Sequence, residues 1–151
     1  MQTSPFEDLY NLYADGSSSK NGSRESRGGW GCIVVDPSGN EIEHSGGEIG
    51  ATNNQMELKG VIEGFKLIPS GARVRVVSDS EYVINGASKW IRGWVRKKWK
   101  GIKNADLWKE LIQAVGDRSV KWVWVKGHST HEYNIRCDKL ATAAGYRLLQ
   151  D

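Results

Sequence analysis

Cysteine, proline and long apolar runs are scarce in this sequence, and each scarcity excludes a class of protein. The 151 residues include two cysteines and three prolines, which excludes a disulfide-rich or proline-rich scaffold. No apolar run reaches the length of about 18 residues that indicates a membrane-spanning helix. The first residues, MQTSPFEDLY, lack the basic and then apolar pattern of a secretory signal. We therefore expect a soluble, cytoplasmic protein.

The two cysteines, Cys32 and Cys137, are able in principle to form one disulfide. Buried thiols are more common in a chain of this size without a secretory signal, and we expect them here. The chain length and the hydrophobic content of 38% fit one globular domain. We expect this domain to span residues 1–151, with residues 1–8 as a short N-terminal extension.

Basic residues are concentrated in one segment, although the net charge of the chain is only +3. The stretch KWIRGWVRKKWKGIK, residues 89–103, contains seven of the 21 Lys and Arg residues and no acid. Trp90, Trp94 and Trp99 are interleaved with these charges. A basic run alone is typical of a solvated helix face, and a Trp pair alone is typical of a core. Together they favour a surface that neutralises phosphates while flat rings lie against sugars or bases.

Apolar periodicity and turn residues divide the chain into the order β-β-β-α-β-α-α-α-β-α, an α/β pattern. The first helix starts with a capping-box pattern at Thr52 and Gln55. Its apolar stripe consists of Leu58, Val61, Ile62 and Phe65. The predicted strands cover residues 9–15, 30–36, 41–49, 74–79 and 120–126, and residues 17–29 are interpreted as a loop. The other predicted helices cover residues 81–98 in two parts, a segment capped by Asn104, and residues 135–149.

Four acidic residues stand out because of their places in this order of elements. Asp15 and Asp79 end predicted strands, and Asp138 falls early in the terminal helix. Glu57 lies beside the apolar stripe of the first helix, where a carboxylate costs free energy unless it reaches water or a cation. Each position has an ordinary explanation: a turn, a helix start, a helix dipole, or a Glu that turns outward to water. Ligands gather beyond strand ends in such sheets, however, so the four acids are candidates for a site.

The conjunction of these motifs resembles the type 1 ribonuclease H family over about residues 10–145. The matching stretches are YADGSS, TNNQMEL, VVSDSEYV, the KW…GW…KKWK segment, NADLW and WVWVKGHSTHEYNIRCDKLA. Members of this family are endonucleases that cut the RNA strand of RNA–DNA hybrids. The resemblance implies an RNase H-like fold, a five-stranded mixed sheet with three antiparallel strands and then two parallel ones, flanked by helices. It also implies that residues 89–103 form a protruding basic handle.

The resemblance further implies two Mg²⁺ ions, with Mn²⁺ able to substitute, held by Asp15, Glu57, Asp79 and Asp138. Four carboxylates repel one another without metal and are close to neutral with two divalent cations, which accounts for Glu57 at the edge of the core. Two ions suit an in-line displacement at phosphorus, and the implied products carry 5′-phosphate and 3′-hydroxyl ends. Asp15 is the candidate for the ligand that both ions share. His128 matches a family histidine thought to assist proton transfer or product release.

Two surfaces are implied to contact the nucleic acid. Asn53 and Asn54 match positions near the cut, where 2′-hydroxyls distinguish RNA from DNA. The residues implied to hold the DNA strand are Trp90, Trp94, Lys97 and Lys98, with Thr52 as a candidate for contact with a DNA phosphate. Lys100 is a further nucleic-acid candidate, and Ser80 and Asn104 are weaker ones. The expected partner is an RNA–DNA hybrid duplex. We expect no membrane contact, no obligate protein partner and a monomer.

Three alternatives belong to other classes. A zinc site formed by His128, His131 and Cys137 falls short of the four ligands of a structural zinc. A catalytically silent hybrid-binding module does not need four acids, and a recombinase or resolvase of the same superfamily is not expected to match both the handle and KGHSTHEYN. Two departures from typical bacterial members are the longer loop after Asp15 and Glu81 in place of the common Gln.

Overall fold

The computed structural model describes residues 8–19, 25–127 and 131–148. Its strands are β1 (Leu9–Ser19), β2 (Arg27–Val35), β3 (Glu41–Ile49), β4 (Arg73–Ser78) and β5 (Ser119–Trp124). Its α-helices are α1 (Asn53–Phe65), α2 (Glu81–Asn85), α3 (Ile91–Arg96), α4 (Ala105–Val115) and α5 (Glu132–Arg147), with a π-helical turn at Gly86–Trp90 between α2 and α3. None of the helices in these residues is long and apolar enough to cross a membrane.

The five strands form one mixed sheet in the order β3-β2-β1-β4-β5. β1 pairs antiparallel with β2 and β2 with β3, whereas β1, β4 and β5 are parallel neighbours. The predicted arrangement of three antiparallel strands and two parallel ones is confirmed. Tyr13 of β1 lies opposite Val77 of β4. The residues that follow these two positions, including Asp15 and Asp79, therefore approach the same edge of the sheet.

The hairpin of β1 and β2 is longer than the sequence indicated. The predicted loop at residues 17–29 is wrong in part, because Ser17, Ser18 and Ser19 pair with Gly29, Gly28 and Arg27. Serine and glycine are poor strand formers, so composition favoured a loop. Distant contacts override that preference: the Ser18 hydroxyl donates to the Ala51 carbonyl at 2.7 Å. Gly29 also packs so closely on α5 that a side chain there would collide with the Ala141 carbonyl.

Apolar layers cover the two faces of the sheet. On one face the predicted stripe of α1 packs with Leu12 and Val76. The stripe residues Leu58, Val61, Ile62 and Phe65 are all 0% exposed. On the other face α5 packs on β1, β2 and β3, with Cys137 beside Tyr13. Burial of each large apolar side chain contributes about 1.5–3 kcal/mol to folding stability. The position of α1 on the sheet is therefore well defined, and so is the position of Glu57.

The predicted capping box at the start of α1 is confirmed. Thr52 Oγ1 accepts a hydrogen bond from the Gln55 amide at 3.1 Å. Gln55 Oε1 in turn accepts one from the Thr52 amide at 3.0 Å. These bonds satisfy backbone donors that have no partner inside the helix. They fix the first turn of α1 and, with it, the direction in which Glu57 leaves the helix.

The predicted helical segment at residues 81–98 consists of α2, the π-helical turn and α3. Ser80 caps α2, because its hydroxyl oxygen accepts a hydrogen bond from the Val83 amide at 3.1 Å. Gly86 allows close packing at this point, because a side chain there would collide with the buried indole of Trp108. Single π-helical turns occur frequently at functional segments, and this one leads into Trp90.

Two predicted helix starts differ from the structure. Asn104 precedes α4 but does not cap it through its side chain. Its amide is bonded to Gln55 and Tyr82 instead, and its φ of 59° is a left-handed conformation that Asn tolerates. α5 begins at Glu132 rather than at residue 135. The stacking of Tyr133 on Tyr13, with ring centroids 4.3 Å apart, anchors this additional turn.

The two cysteines are buried free thiols, as predicted. Cys32 belongs to the α1 layer and Cys137 to the α5 layer, so they lie on different faces of the sheet. Burial raises the pKa of the Cys32 thiol to about 12, and burial raises the pKa of Cys137 as well. Both side chains therefore act as small apolar groups.

Candidate active site

Three carboxylates from three different elements meet at the edge of the sheet where β1 and β4 approach. Asp15 comes from β1, Glu57 from α1, and Asp79 from the residue after β4. One oxygen from each of them lies within 4.8 Å of the others. Asp15 is buried at 7% exposure, and the other two are half-buried. The predicted convergence of these three acids is thus present in the structure, and we refer to Asp15, Glu57 and Asp79 as the carboxylate cluster.

Two glycines allow this close approach. A side chain at Gly16 would collide with the backbone of Met56 and Glu57, so only glycine lets β1 and α1 touch at this point. The Gly16 amide also donates to Asp15 Oδ1 at 2.9 Å, which orients that carboxylate. A Cβ at Gly127 would lie 3.1 Å from Asp79 Oδ2. The chain after β5 therefore passes directly beside the Asp79 carboxylate.

Burial and mutual repulsion perturb the acids of the carboxylate cluster. Burial, followed by the charges of Asp79, Asp138 and Glu57, raises the pKa of Asp15 to about 8 against the opposing effect of the Gly16 amide. Burial also raises the pKa of Glu57 to about 7, with a contribution from Asp79, while a hydrogen bond from Ser80 lowers it. Carboxylates without a cation therefore retain protons near neutral pH. Oxygen donors in this arrangement are the ligands that hard divalent cations prefer.

The fourth predicted acid stands apart from the other three. Asp138 lies on α5 and is exposed, outside the group within 4.8 Å. Its charge nevertheless contributes to the raised pKa of Asp15, which shows that it lies near the cluster. In the described part of the chain, the carboxylate cluster is the one group of three or more His, Cys, Asp or Glu side chains placed to share an ion. His128 falls outside the described residues.

Ser80 faces the carboxylate cluster rather than solvent. It is 5% exposed, and its hydroxyl group donates to Glu57 while accepting from the Val83 amide. Ser80, which was predicted as a weak nucleic-acid contact, therefore orients the Glu57 carboxylate. By contrast, Asn53 and Asn54 are exposed on the first turn of α1, one turn before Glu57. These two amides can reach a ligand that approaches the cluster.

A chain of hydrogen bonds connects the start of α1 to the handle. Gln55 Nε2 donates to Asn104 Oδ1 at 3.2 Å, and Asn104 Nδ2 donates to the Tyr82 hydroxyl at 3.1 Å. Trp108 Nε1 donates to the same hydroxyl at 2.9 Å. The Trp108 ring in turn meets Trp94 edge to face at 5.0 Å. Asn104, predicted as a nucleic-acid contact, is thus half-buried within this relay, which also explains why it does not cap α4.

The handle combines exposed cations with partly buried rings. Lys97, Lys98 and Lys100 are exposed, as predicted for a phosphate-binding surface. Trp90 is 45% exposed, whereas Trp94 is half-buried between Trp90 and Trp108. Lys98 has a left-handed φ of 54°, and Trp99 beside it has a φ of 65°. This turn presents the lysines to solvent while Trp94 and Trp99 join the core.

Sequence patterns did not single out Trp124, which adjoins the carboxylate cluster. Its ring nitrogen donates to the backbone carbonyl of Asp79 at 3.1 Å, although the side chain is 45% exposed. A signal was present: in a parallel sheet, the last residue of β5 lies beside the end of β4, opposite Ser78. An indole anchored there fixes the backbone that carries Asp79 and offers a flat ring to a ligand.

Comparison with known proteins identifies the family. The family model for RNase H matches residues 7–145. Ribonuclease H of Sulfurovum sp. is 45% identical over 137 residues, covering 91% of this chain and 90% of that protein. Ribonuclease HI of Neisseria meningitidis serogroup B is 47% identical over 135 residues, covering 86% of this chain and 90% of that protein. The chain therefore belongs to the RNase H family.

A solved structure supports the same conclusion. LC9-RNase H1, a type 1 RNase H with the type 2 active-site motif, matches with a TM-score of 0.83 at 35% identity, covering 93% of this chain and 73% of that one. Sequence and fold therefore agree that this chain is a ribonuclease of the H type, as its motifs predicted. The predicted enzyme class is confirmed.

Proposed function

We propose that the chain hydrolyses the RNA strand of RNA–DNA hybrids, with two divalent ions held by Asp15, Glu57, Asp79 and Asp138. The observation that carries this proposal is the carboxylate cluster, whose oxygens lie within 4.8 Å of one another. Relatives named Ribonuclease H support the substrate class. Mg²⁺ is the proposed ion and Mn²⁺ a substitute, because both accept carboxylate oxygens as ligands.

The donor set fits divalent cations in charge as well as in chemistry. The raised pKa values of Asp15 and Glu57 reflect a need for positive charge that dications would meet. We propose Asp15 as the shared ligand, because all three other acids act on its pKa. Ions held by these acids would supply activation of the attacking water and stabilisation of the departing oxygen in an in-line displacement. Departure of the 3′-oxygen leaves the proposed 5′-phosphate and 3′-hydroxyl ends.

Other groups of the chain hold the acids in place. The Gly16 amide orients Asp15, the Ser80 hydroxyl orients Glu57, and the Trp124 indole holds the backbone at Asp79. Such supporting hydrogen bonds commonly matter nearly as much as the ligands themselves. His128 is the proposed group for proton transfer or product release, since a histidine pKa suits both roles.

Two surfaces on either side of the relay would hold the hybrid. Asn53 and Asn54, next to Glu57, are the proposed contacts to the strand being cut, where the 2′-hydroxyl distinguishes RNA. Trp90 and the handle lysines are the proposed contacts to the DNA strand, with Thr52 beside a DNA phosphate. The hydrogen-bonded relay from Gln55 to Trp108 keeps these surfaces at a fixed separation. The monomeric state and the cytoplasmic location stay predictions.

An end-labelled cleavage assay tests the proposal. Four substrates are compared with Mg²⁺ and with EDTA: an RNA–DNA hybrid, an RNA duplex, a DNA duplex, and a DNA duplex with one embedded ribonucleotide. We expect cleavage of the RNA strand in the uniform hybrid, only with metal. Mapping of the product ends with a phosphatase and a 3′-end ligase checks the end chemistry. Equal cleavage of the RNA duplex, or cleavage in EDTA, would contradict the proposed specificity or mechanism.

A further inference from the structure

A groove of about 330 Å³ lies at the end of β4 and β5 away from the carboxylate cluster. Arg73, Arg75 and Lys121 line it together with Leu9 and the backbone between these positions. Among the described residues that line it, none is acidic. We call this site the basic groove. Asp79 is four positions after Arg75, and at about 3.3 Å per residue this amounts to about 13 Å along the strand.

Strand register places two cations of the basic groove side by side. Arg75 of β4 lies directly opposite Lys121 of β5. Opposite residues on neighbouring strands point to the same face, and the strands are about 4.8 Å apart. Like charges in this position destabilise a sheet. The residue on the other side of Arg75 is Asn11, whose Oδ1 accepts a hydrogen bond from Arg75 Nε at 2.8 Å. Because Asn11 is neutral, this hydrogen bond does not offset the repulsion between Arg75 and Lys121.

Lys59, Lys66 and Arg136 of the described chain form ion pairs with acids. Arg136 pairs with both Glu41 and Glu43, and Lys66 pairs with Glu63. No carboxylate of the described residues forms an ion pair with Arg75 or Lys121. The sheet register thus brings Arg75 and Lys121 together, and neither forms an ion pair with a carboxylate of the described residues.

Within the described residues, the sheet face at the basic groove is accessible. On that side α5 packs mainly on β1, β2 and β3 rather than on β4 or β5. Arg73 and Lys121 are exposed there, and Arg75 is half-buried. An anion can therefore enter and lie between the Arg75 guanidinium and the Lys121 ammonium without any rearrangement of the backbone.

We propose that the basic groove binds the phosphates of a nucleic-acid strand, at a second site separate from the carboxylate cluster and the handle. A guanidinium and an ammonium group at this spacing suit one phosphate. Leu9 and the aliphatic stems of the basic residues offer an apolar surface to the sugars. This site goes beyond the proposed cleavage of hybrids and does not depend on it.

The binding experiment isolates the basic groove from the handle. Fluorescence anisotropy measures fluorescein-labelled (dT)12 binding in EDTA to a chain whose handle carries K97A, K98N and K100A. Asn is used at position 98 because Lys98 has a positive φ, which Asn tolerates. We expect residual binding that R75Q/K121Q weakens at least tenfold. Its log–log salt slope should become shallower by about 1.4, at about 0.7 per contact for a single strand.

The matched control removes two charges from another surface. K59Q/K66Q lowers the net charge equally but acts on α1, where both lysines contact Glu63. We expect this control to leave the slope unchanged. Equal effects of the two double variants, or no residual binding before the groove is altered, would overturn the proposal. Competition by a poly-glutamate peptide as effective as that by unlabelled (dT)12 would also overturn it, because the ligand would then be a carboxylate chain.

Thermal stability at low salt tests the repulsion independently. R75Q or K121Q alone should raise Tm by up to about 2–4 °C, because either removes the like-charge pair. The double variant should add little to either single one, and the gain should vanish at high salt. Additive changes, or a lower Tm in each variant, would show that the cations do not repel and overturn the argument.

Cleavage of a short hybrid by R75Q/K121Q should equal that of the unaltered chain. A loss would assign these residues to the catalytic surface instead.

Discussion

Three acids of the carboxylate cluster lie within 4.8 Å of one another at a largely buried point, whereas the lysines of the handle stand exposed on a turn. Both regions concentrate charge of one sign. Burial makes the acids costly, and it raises the pKa of Asp15 to about 8. Lys97 and Lys98 stay in water, where repulsion is weak and salt screens it. The comparison teaches that a fixed, partly buried site suits small cations, while a solvated surface suits an extended polyanion.

Removal of one acid should have the largest effect. We expect D79N to lower single-turnover cleavage of a hybrid by at least about a thousandfold, since metal-dependent stabilisation of several kcal/mol is lost at about 1.4 kcal/mol per factor of ten. Folding should be intact, because Asn has the shape of Asp and Asp79 lies outside the core. The matched control is D106N on the exposed first turn of α4, which should cleave normally. Activity of D79N near that of the unaltered chain would rule out its proposed role.

The buried acids should also make stability depend on pH in an unusual direction. Folding raises the pKa of Asp15 from 3.8 to about 8, so the folded state favours the protonated carboxyl. Its contribution in EDTA is therefore fully present below about pH 4 and is lost as the pH rises to about 8, with about 1.4 kcal/mol lost for each pH unit between these values. D15N should remove this loss and gain a few kcal/mol at pH 8 in urea unfolding.

Asp36 provides a control of opposite sign. The Asn40 amide is the main cause that holds the pKa of Asp36 below its usual value. Its stabilising contribution is therefore present above the unfolded pKa and is lost as the pH falls through the folded one. D36N should destabilise the chain at neutral pH and have no effect in acid. If D15N and D36N show the same pH trend, burial does not control the protonation of Asp15.

Metal binding should release protons from the carboxylate cluster. At pH 7 the pKa values of Asp15, about 8, and Glu57, about 7, leave protons that ligation must displace. We expect Mg²⁺ to release about one proton at pH 7 and almost none at pH 9. Calorimetric titrations in buffers of different ionisation enthalpy measure this release. Heats that do not depend on the buffer at pH 7 would contradict it.

The residues that sequence reasoning located correctly are those whose role is visible over a few neighbours. The α1 capping box and its stripe follow from spacing alone, and the acids follow mainly from family motifs. Asp79 does follow β4, but Asp15 lies within β1 (Leu9–Ser19) and not at its end as predicted. Such features depend on local geometry, so the structure confirms the helix start at Thr52 and brings Asp15, Glu57 and Asp79 together. The mixed five-stranded sheet was also predicted, from the resemblance rather than from periodicity, but its strand order was not.

The features that sequence reasoning missed depend on partners far along the chain. Ser18 continues β1 because it bonds to Ala51, and Asn104 serves the relay because Gln55 and Tyr82 reach it. Trp124 adjoins Asp79 only because β5 pairs with β4. Sequence propensity predicted a loop at Ser18, a helix cap at Asn104 and an ordinary strand residue at Trp124. Contacts over 22 to 49 residues changed the role of Asn104 entirely.

The contribution of the handle to hybrid affinity should depend on salt concentration, whereas the contribution of the carboxylate cluster to cleavage should depend on metal. If Lys97, Lys98 and Lys100 contact phosphates, K97A/K98N/K100A should make the log–log salt dependence of hybrid affinity shallower by about 0.9 per contact, about 2.7 in all. Turnover of bound substrate should change little. Anisotropy in Ca²⁺ over a range of KCl concentrations measures the slope. An unchanged slope would mean that the lysines are only a solvated face.

The smallest expected effect comes from a variant that distinguishes the contribution of the Trp90 ring from that of the handle lysines. Trp90 is a better probe than Trp94, because Trp90 is 45% exposed while Trp94 packs on Trp108, so W94A would also disturb the fold. W90A should weaken hybrid binding by about 1–3 kcal/mol at every salt concentration, since a ring that lies against a sugar or base carries no charge. The salt slope should equal that of the unaltered chain, whereas W90F should recover most of the affinity. If W90A instead changes the slope and leaves affinity at high salt intact, Trp90 acts by positioning the neighbouring lysines, and the division between stacking and charge within the handle is wrong.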